Sequence, residues 1–166
     1  MSLDKKTIVV AGAPGVGKSH LFSEAEKRDL SIRDSDSSQF SWLQPGVRNP
    51  DFPYNYMEHL RSLLGEVDVV CVSTHHEVRN ALVAAGIEFK LTYPGPGQKD
   101  EYIKRFRDRP LKPGEDQAAR DKFVALMNAH WEEWIDKQLP TQEGCAHVVL
   151  QKGEYLSDRI MSLLTE

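Results

Sequence analysis

Short runs rich in aliphatic and β-branched residues alternate along this chain with longer stretches in which apolar positions return every third or fourth residue. Runs of the first kind near 7–11, 30–34, 67–73, 88–93 and 145–150 predict strands, and the second kind near 18–28, 53–64, 75–85, 98–108, 117–138 and 155–165 predict helices. Val67-Asp68-Val69-Val70-Cys71-Val72-Ser73 is the clearest strand, with the near-continuous apolar character of one covered on both faces. Thr74-His75-His76-Glu77 reads as a capping box opening the next helix, and Gly86 as its stop. Pro53 suits the first turn of the 53–64 helix and Gly65 its end. In the longest helix Phe123, Leu126, Met127, Trp131, Trp134, Ile135 and Leu139 share a face, a core stripe rather than a second site. Such alternation builds a parallel sheet with right-handed crossovers and ligands at the carboxyl ends of its strands. The expected fold is an α/β three-layer sandwich with a five-stranded parallel sheet, a single domain spanning 1–166.

At 166 residues the chain has room for one core and little else, which excludes the extra lobes of motor and remodelling ATPases. A formal charge of −4 argues against a dedicated binder of long nucleic acid, while leaving room for a local basic patch. Cys71 and Cys145 lie in apolar strand-like runs, without metal-ligand spacing to a histidine, and read as small buried thiols. With no signal peptide and no apolar run of membrane-spanning length, the expectation is a cytoplasmic protein with no membrane partner, monomeric or homodimeric.

The strand at 7–11 runs straight into Gly12-Ala13-Pro14-Gly15-Val16-Gly17-Lys18-Ser19-His20, which fits the phosphate-loop pattern G-x-x-x-x-G-K-[ST] at every fixed position. The glycines let successive backbone N–H groups turn inward around a polyphosphate at a helix N-terminus. Lys18 can reach the β- and γ-phosphates, and the Ser19 hydroxyl can take a Mg²⁺ position. The chain is expected to bind ATP with Mg²⁺. No Asn-Lys-x-Asp motif reads guanine, and the strand at 67–73 ends without the second Mg²⁺-binding Asp. Asp34 and Asp36, one residue apart after the second strand, can replace it: Asp34 at Mg²⁺, Asp36 at the acceptor oxygen. The plainer alternative is a solvated polar turn.

The phosphate loop, the Asp34-x-Asp36 pair and the late Arg105-Phe106-Arg107-Asp108-Arg109-Pro110-Leu111 run resemble the P-loop nucleoside-monophosphate kinase and shikimate/gluconate kinase group. The segments 34–42, 49–56 and 73–79 are similar to small nucleotide-kinase-like proteins of bacteriophages and prophages, which would place the chain in a host cytoplasm. The resemblance implies an acceptor-binding segment at about 35–65, an Arg-bearing lid at about 105–118, an acceptor-phosphate arginine near Arg79, and adenine contacts at Lys152 and Gly153. The Asp-Gly-Phe-Pro-Arg segment of adenylate kinases and the Asp-Arg-Tyr/His signature of thymidylate kinases are absent.

Arg105 and Arg109 share a helical face, with Arg107 between them, and Pro110 stops the helix. Such a flap can close over ATP and neutralise charge on the transferred group, although basic residues at a helix end also suit its dipole. Phe40, Trp42, Phe52, Tyr54 and Tyr56 surround the acceptor segment; some can stack on a base, and at least half are expected to pack it onto the sheet. Arg48 and Arg61 stand behind Arg79 as phosphate contacts, and His75 and His76 read as exposed. The leading function is ATP- and Mg²⁺-dependent phosphoryl transfer to a (deoxy)nucleoside monophosphate, a small-molecule nucleotide acceptor. A kinase of hydroxyls, on a small polyol or a hydroxymethylated base in phage DNA, is the alternative, and a nucleotide-binding regulatory module the third.

Overall fold

A computed structural model describes residues 6–35 and 37–165. Its centre is a five-stranded sheet of β1 (Ile8–Gly12), β2 (Ile32–Asp34), β5 (Val69–Val72), β6 (Lys90–Pro94) and β7 (Ala146–Leu150), in the order β2-β5-β1-β6-β7 and parallel throughout. Burial explains the composition: every residue of β1 and β5 is buried, while the edge strands β2 and β7 expose part of their length. The register sets Asp34 beside Cys71, Cys71 beside Val10, and Gly12 beside Thr92. The loop after β1 and the end of β2 therefore open on the same edge, where the strand order switches direction.

The helices are α1 (Lys18–Ser23), α2 (Ser38–Ser41), α3 (Tyr54–Leu63), α4 (His76–Ala84), α5 (Lys99–Asp108), α6 (Gln117–Trp131) and α7 (Leu156–Leu164), which complete a three-layer α/β sandwich. None is long and apolar enough to cross a membrane. Helix α1 stops at Ser23, short of the expected 28, and gives way to turns ending at Asp29, whose φ is +52°. The Ser23 hydroxyl bonds back to the His20 carbonyl at this point, a competitor for helical bonding. The expected capping box at 74–77 does not form: α4 starts at His76 with no side-chain cap. Glu77 pairs instead with Arg48, and the Thr74 carbonyl accepts from Arg79. A two-stranded hairpin, β3 (Trp42–Gln44) with β4 (Val47–Arg48), was not anticipated, although Pro45-Gly46, with φ +82° at the glycine, is its turn signal.

The helix expected over 117–138 is also modified. The α-helix ends at Trp131, then Glu132–Gln138 is π-helical and Leu139–Thr141 a single 3₁₀ turn. Val124, Met127, Trp131, Ile135 and Leu139 form the buried face, whereas Leu126 is exposed. From Met127 onward this stripe advances in steps of four, which overshoot a 3.6-residue turn, and a wider turn keeps them on one side. Trp131, almost fully buried, packs against Tyr102 and Phe106 at ring distances of 5.4 and 6.5 Å, joining α6 to α5. Trp131→Ala should lower stability by about 3–5 kcal/mol, read from denaturant unfolding. A loss under about 1 kcal/mol would mean that α5 and α6 do not share this core.

Candidate active site

The loop 13–17 is held by hydrogen bonds within itself and to its neighbours. Ala13 N–H donates to the Thr92 carbonyl at 2.9 Å, and Val16 N–H to the Ala13 carbonyl at 3.3 Å. The Val16 carbonyl accepts from Leu156 N–H at 2.8 Å, and Lys18 Nζ donates to the Gly12 carbonyl at 2.5 Å. Gly15 and Gly17 have φ of +86° and +99°, and the space beside each is already filled. A Cβ on Gly15 would meet both Phe106 and Tyr102 at 2.9 Å, and one on Gly17 would meet Tyr155 at 3.0 Å. Only glycine satisfies both conditions. Beside the loop lies a cavity of about 840 Å³, lined by Pro14, Gly15, Gly17, Lys18, Ser19 and His20 on one side. The same cavity is lined by Glu101, Lys104, Arg105, Arg109, Lys112, Phe123, Gly153 and Tyr155.

Arg105 lines this cavity, but not as a mobile finger. Its guanidinium donates to the Gly15 carbonyl at 2.8 Å, to Glu101 at 3.0 Å and to the Glu154 carbonyl at 3.1 Å. It also lies between the rings of Tyr102 and Tyr155, at 4.2 and 3.8 Å. Burial pushes the Tyr102 phenol up to about 12, with Arg105 pulling the other way, so this ring stays neutral. Arg109 also lines the cavity, over Phe123 at 5.3 Å and 3.8 Å from Glu115, and burial lowers its pKa. Arg107 points to the opposite face, as the i, i+4 spacing of its neighbours requires.

Arg120 is a residue that sequence reasoning missed. Almost fully buried, it donates to the carbonyls of Arg109 and Pro110 at 2.7 and 2.9 Å, and to Glu115 at 2.9 Å. It thereby caps α5 and anchors the start of the expected lid segment. A lone Arg in an amphipathic helix carries no sequence signal of carbonyl partners elsewhere. Glu101 was missed too, though its i, i+4 spacing to Arg105 was legible. On the last-strand side Gly153 lines the cavity and donates its N–H to Glu101 at 2.9 Å, whereas Lys152 is exposed and outside the lining.

At the edge beside β1, Asp34 is exposed, and both Asp34 and Lys18 act electrostatically on Cys71. Ser35 N–H bonds to the Cys71 carbonyl at 2.9 Å, and the hydroxyls of Ser37 and Ser73 are 3.2 Å apart. Asp36 lies outside the described residues. Ser19 and Asp34 supply hard oxygen donors of the type Mg²⁺ takes. No cluster of three or more His, Cys, Asp or Glu side chains suited to a metal occurs among the described residues.

The acceptor segment divides into packing and exposed parts. Tyr56, nominated for substrate, is fully buried: its ring lies 5.2 Å from Phe40 and 6.3 Å from Phe52, and its hydroxyl donates to the Ser35 carbonyl at 2.7 Å. It therefore holds the segment against the sheet. Phe40 is partly buried and also lies 4.7 Å from His59, whereas Trp42 remains exposed. Arg48 sits over Trp42 and Phe52 at 5.1 and 5.3 Å and bonds Glu77 at 2.8 Å. Arg79 is not brought to the cavity. It is buried, donating from Nε to the Thr74 carbonyl at 2.9 Å and from Nη1 to Gln142 Oε1 at 2.7 Å, and burial lowers its pKa. Arg61 is bonded to the Ala85 carbonyl at 3.1 Å, closing the end of α4. His75 and His76 are exposed. Cys71 is buried as expected, whereas Cys145, just ahead of β7, is only partly buried, with Sγ 3.8 Å from His147 Nε2.

No protein-family model matches the chain, and no curated protein sequence matches it. Solved structures do. A gluconokinase from Sinorhizobium meliloti 1021 aligns over 99% of this chain and 92% of its own, with a TM-score of 0.51 and 16% identity. An unliganded sugar kinase from Janibacter sp. HTCC2649 aligns over 97% of this chain and 93% of its own, with a TM-score of 0.52 and 15% identity. At these identities the likeness is one of architecture: the chain has a P-loop kinase-like fold.

The thiol beside the loop gives a direct check on this geometry. Burial, reinforced by Asp34 and opposed by Lys18, pushes Cys71 up to about 12 from the ordinary 9.0. The folded chain thus keeps this proton longer than the unfolded chain. The contribution to stability is intact below about pH 9 and falls as pH rises toward 12. At pH 8 iodoacetamide should modify the partly exposed Cys145 and spare Cys71 until denaturant is added, as read by peptide mass spectrometry. Modification of native Cys71 at that pH would contradict the burial of β5.

Proposed function

We propose that this protein is an ATP- and Mg²⁺-dependent kinase whose acceptor is a small hydroxyl compound. The observation that carries the choice of acceptor is the state of Arg79, whose guanidinium is buried and bonded to Thr74 and Gln142 rather than offered to a second phosphate. Its understudy Arg61 is bonded to a carbonyl as well. The structural neighbours named as a gluconokinase and a sugar kinase support the same direction.

In this reading the loop 12–19 cradles the ATP polyphosphate, and Lys18 balances charge on the β- and γ-phosphates. Ser19 and Asp34 would hold Mg²⁺, which neutralises the phosphate oxygens when bound. Arg109, Lys104 and Lys112, which line the same cavity beside the acids Glu101, Asp108 and Glu115, supply positive charge toward the donor. A neutral hydroxyl needs a base to take its proton as the new P–O bond forms, and Asp36 is proposed for that role. The proton passes to this carboxylate, and the bond from the γ-phosphorus to the β,γ-bridging oxygen breaks, leaving ADP.

A monophosphate acceptor is the second reading, and Arg48 favours it. This guanidinium is exposed, stacked on Trp42 and Phe52, and carried by the hairpin of the acceptor segment. The sequence resemblance to phage nucleotide-kinase-like proteins points the same way.

A coupled ADP-release screen across polyols, nucleosides and nucleoside monophosphates tests the proposal. Hydroxyl compounds should turn over, and Arg48→Ala should leave their kcat/KM within about threefold. Preference for a monophosphate, lost in Arg48→Ala, would move the assignment to the second reading. Lys18→Ala should cut kcat by at least about 100-fold in either case, with the fold retained by circular dichroism. Normal kinetics in that variant would remove the kinase assignment.

A further inference from the structure

We propose that Glu101 is a positioning residue which, through Arg105, sets the shape of the phosphate loop and hence its affinity for a nucleotide. The inference rests on the nucleotide-binding reading above and adds to it a residue that reaches the loop through Arg105.

The Glu101 carboxylate has two partners on two elements. One oxygen accepts from Arg105 Nη2 at 3.0 Å, and the other from the N–H of Gly153 at 2.9 Å. Arg105 carries the connection onward to the Gly15 carbonyl at 2.8 Å and the Glu154 carbonyl at 3.1 Å. The guanidinium is only 10% exposed and lies between two tyrosine rings, so its fork has little freedom to turn. Leu156, beyond the same turn, holds the Val16 carbonyl at 2.8 Å.

These bonds fall on consecutive peptide units of the loop. In a planar trans peptide the C=O and N–H point in opposite directions. Fixing the carbonyls of Gly15 and Val16 on outside donors therefore fixes two peptide planes: the Val16 N–H is turned back onto the Ala13 carbonyl at 3.3 Å, closing the turn of the loop, and the Gly17 N–H is directed away from Leu156. A loop held in one such shape presents its remaining amides as the concave anion-binding surface of a phosphate loop. Arg105 thus acts on the loop's shape rather than by reaching into the cavity, and Glu101 aims Arg105. An arginine suits this role because its rigid planar fork spreads its donors over acceptors on separate elements, whereas a lysine offers its three from a single nitrogen.

The sign of the effect separates this role from direct electrostatics. Glu101 lines the cavity, and its negative charge repels a polyphosphate. If it acted only through that charge, Glu101→Gln would tighten nucleotide binding. As an aiming residue it must do the opposite.

The experiment is calorimetric titration of ADP into the full chain for wild type, Glu101→Gln, Arg105→Lys and the double variant, with thermal melts alongside. Glu101 is about one-third exposed, so its variant should fold, and Glu101→Asp provides a graded version that keeps the charge. The expected result is about tenfold weaker ADP binding in Glu101→Gln and in Arg105→Lys, a double variant no worse than the weaker single, and an intermediate value for Glu101→Asp. Unchanged or tighter binding in Glu101→Gln, or a fully additive double variant, would overturn the proposal while leaving the kinase reading standing. A folded wild type that binds no ADP would overturn both.

Discussion

The contact between the Arg105 guanidinium and the Gly15 carbonyl is the point on which the site depends. A phosphate loop made of Gly-Ala-Pro-Gly-Val-Gly has almost no side chains with which to define itself, so its shape must come from its surroundings. Phe106, Tyr102 and Tyr155 fill the space beside its glycines, and Arg105 and Leu156 hold its carbonyls. The sheet supplies the rest: Ala13 is bonded to Thr92 on the neighbouring strand, and β1 itself is completely buried. A flexible glycine-rich segment is thereby given one conformation by rigid neighbours on three elements.

What could be read from the sequence follows from how local its cause was. The five strands and the loop between β1 and α1 were legible because short apolar runs and a fixed motif carry their own explanation. The hairpin at 42–48 was missed, although Pro45-Gly46 marks its turn, because strands of two and three residues have no measurable alternation. The π-helical stretch likewise leaves no trace beyond a stripe that steps by four. The charged side chains were the least legible. Periodicity shows that Arg105 and Arg109 share a face, but not that a carbonyl 90 residues away meets one of them. Arg79 and Arg120 present the same difficulty: Arg79 meets the amide oxygen of Gln142, 63 residues on, and Arg120 the carbonyls of Arg109 and Pro110 ahead of its own helix, and no spacing rule connects them.

The two sides of the site also differ in character. The donor side is built from buried aromatic rings and multiply bonded arginines, and Arg120 ties down the chain between α5 and α6. On the acceptor side, Tyr56 anchors a segment whose outer hairpin leaves Trp42, Leu43 and Val47 in solvent, with the Arg48–Glu77 pair linking it to α4. Fewer buried contacts mean lower local stability there. Under the proposed function, acceptor recognition falls to this less tightly held hairpin.

The order of synthesis gives the clamp another consequence. The loop is made about 90 residues before Arg105, and longer still before the backbone of Leu156, the two donors that hold its carbonyls. A growing chain thus carries its most recognisable motif long before the groups that shape it exist. A polypeptide that stops short of Tyr155 would keep the motif and lack both the ring that packs on it and the N–H that holds it.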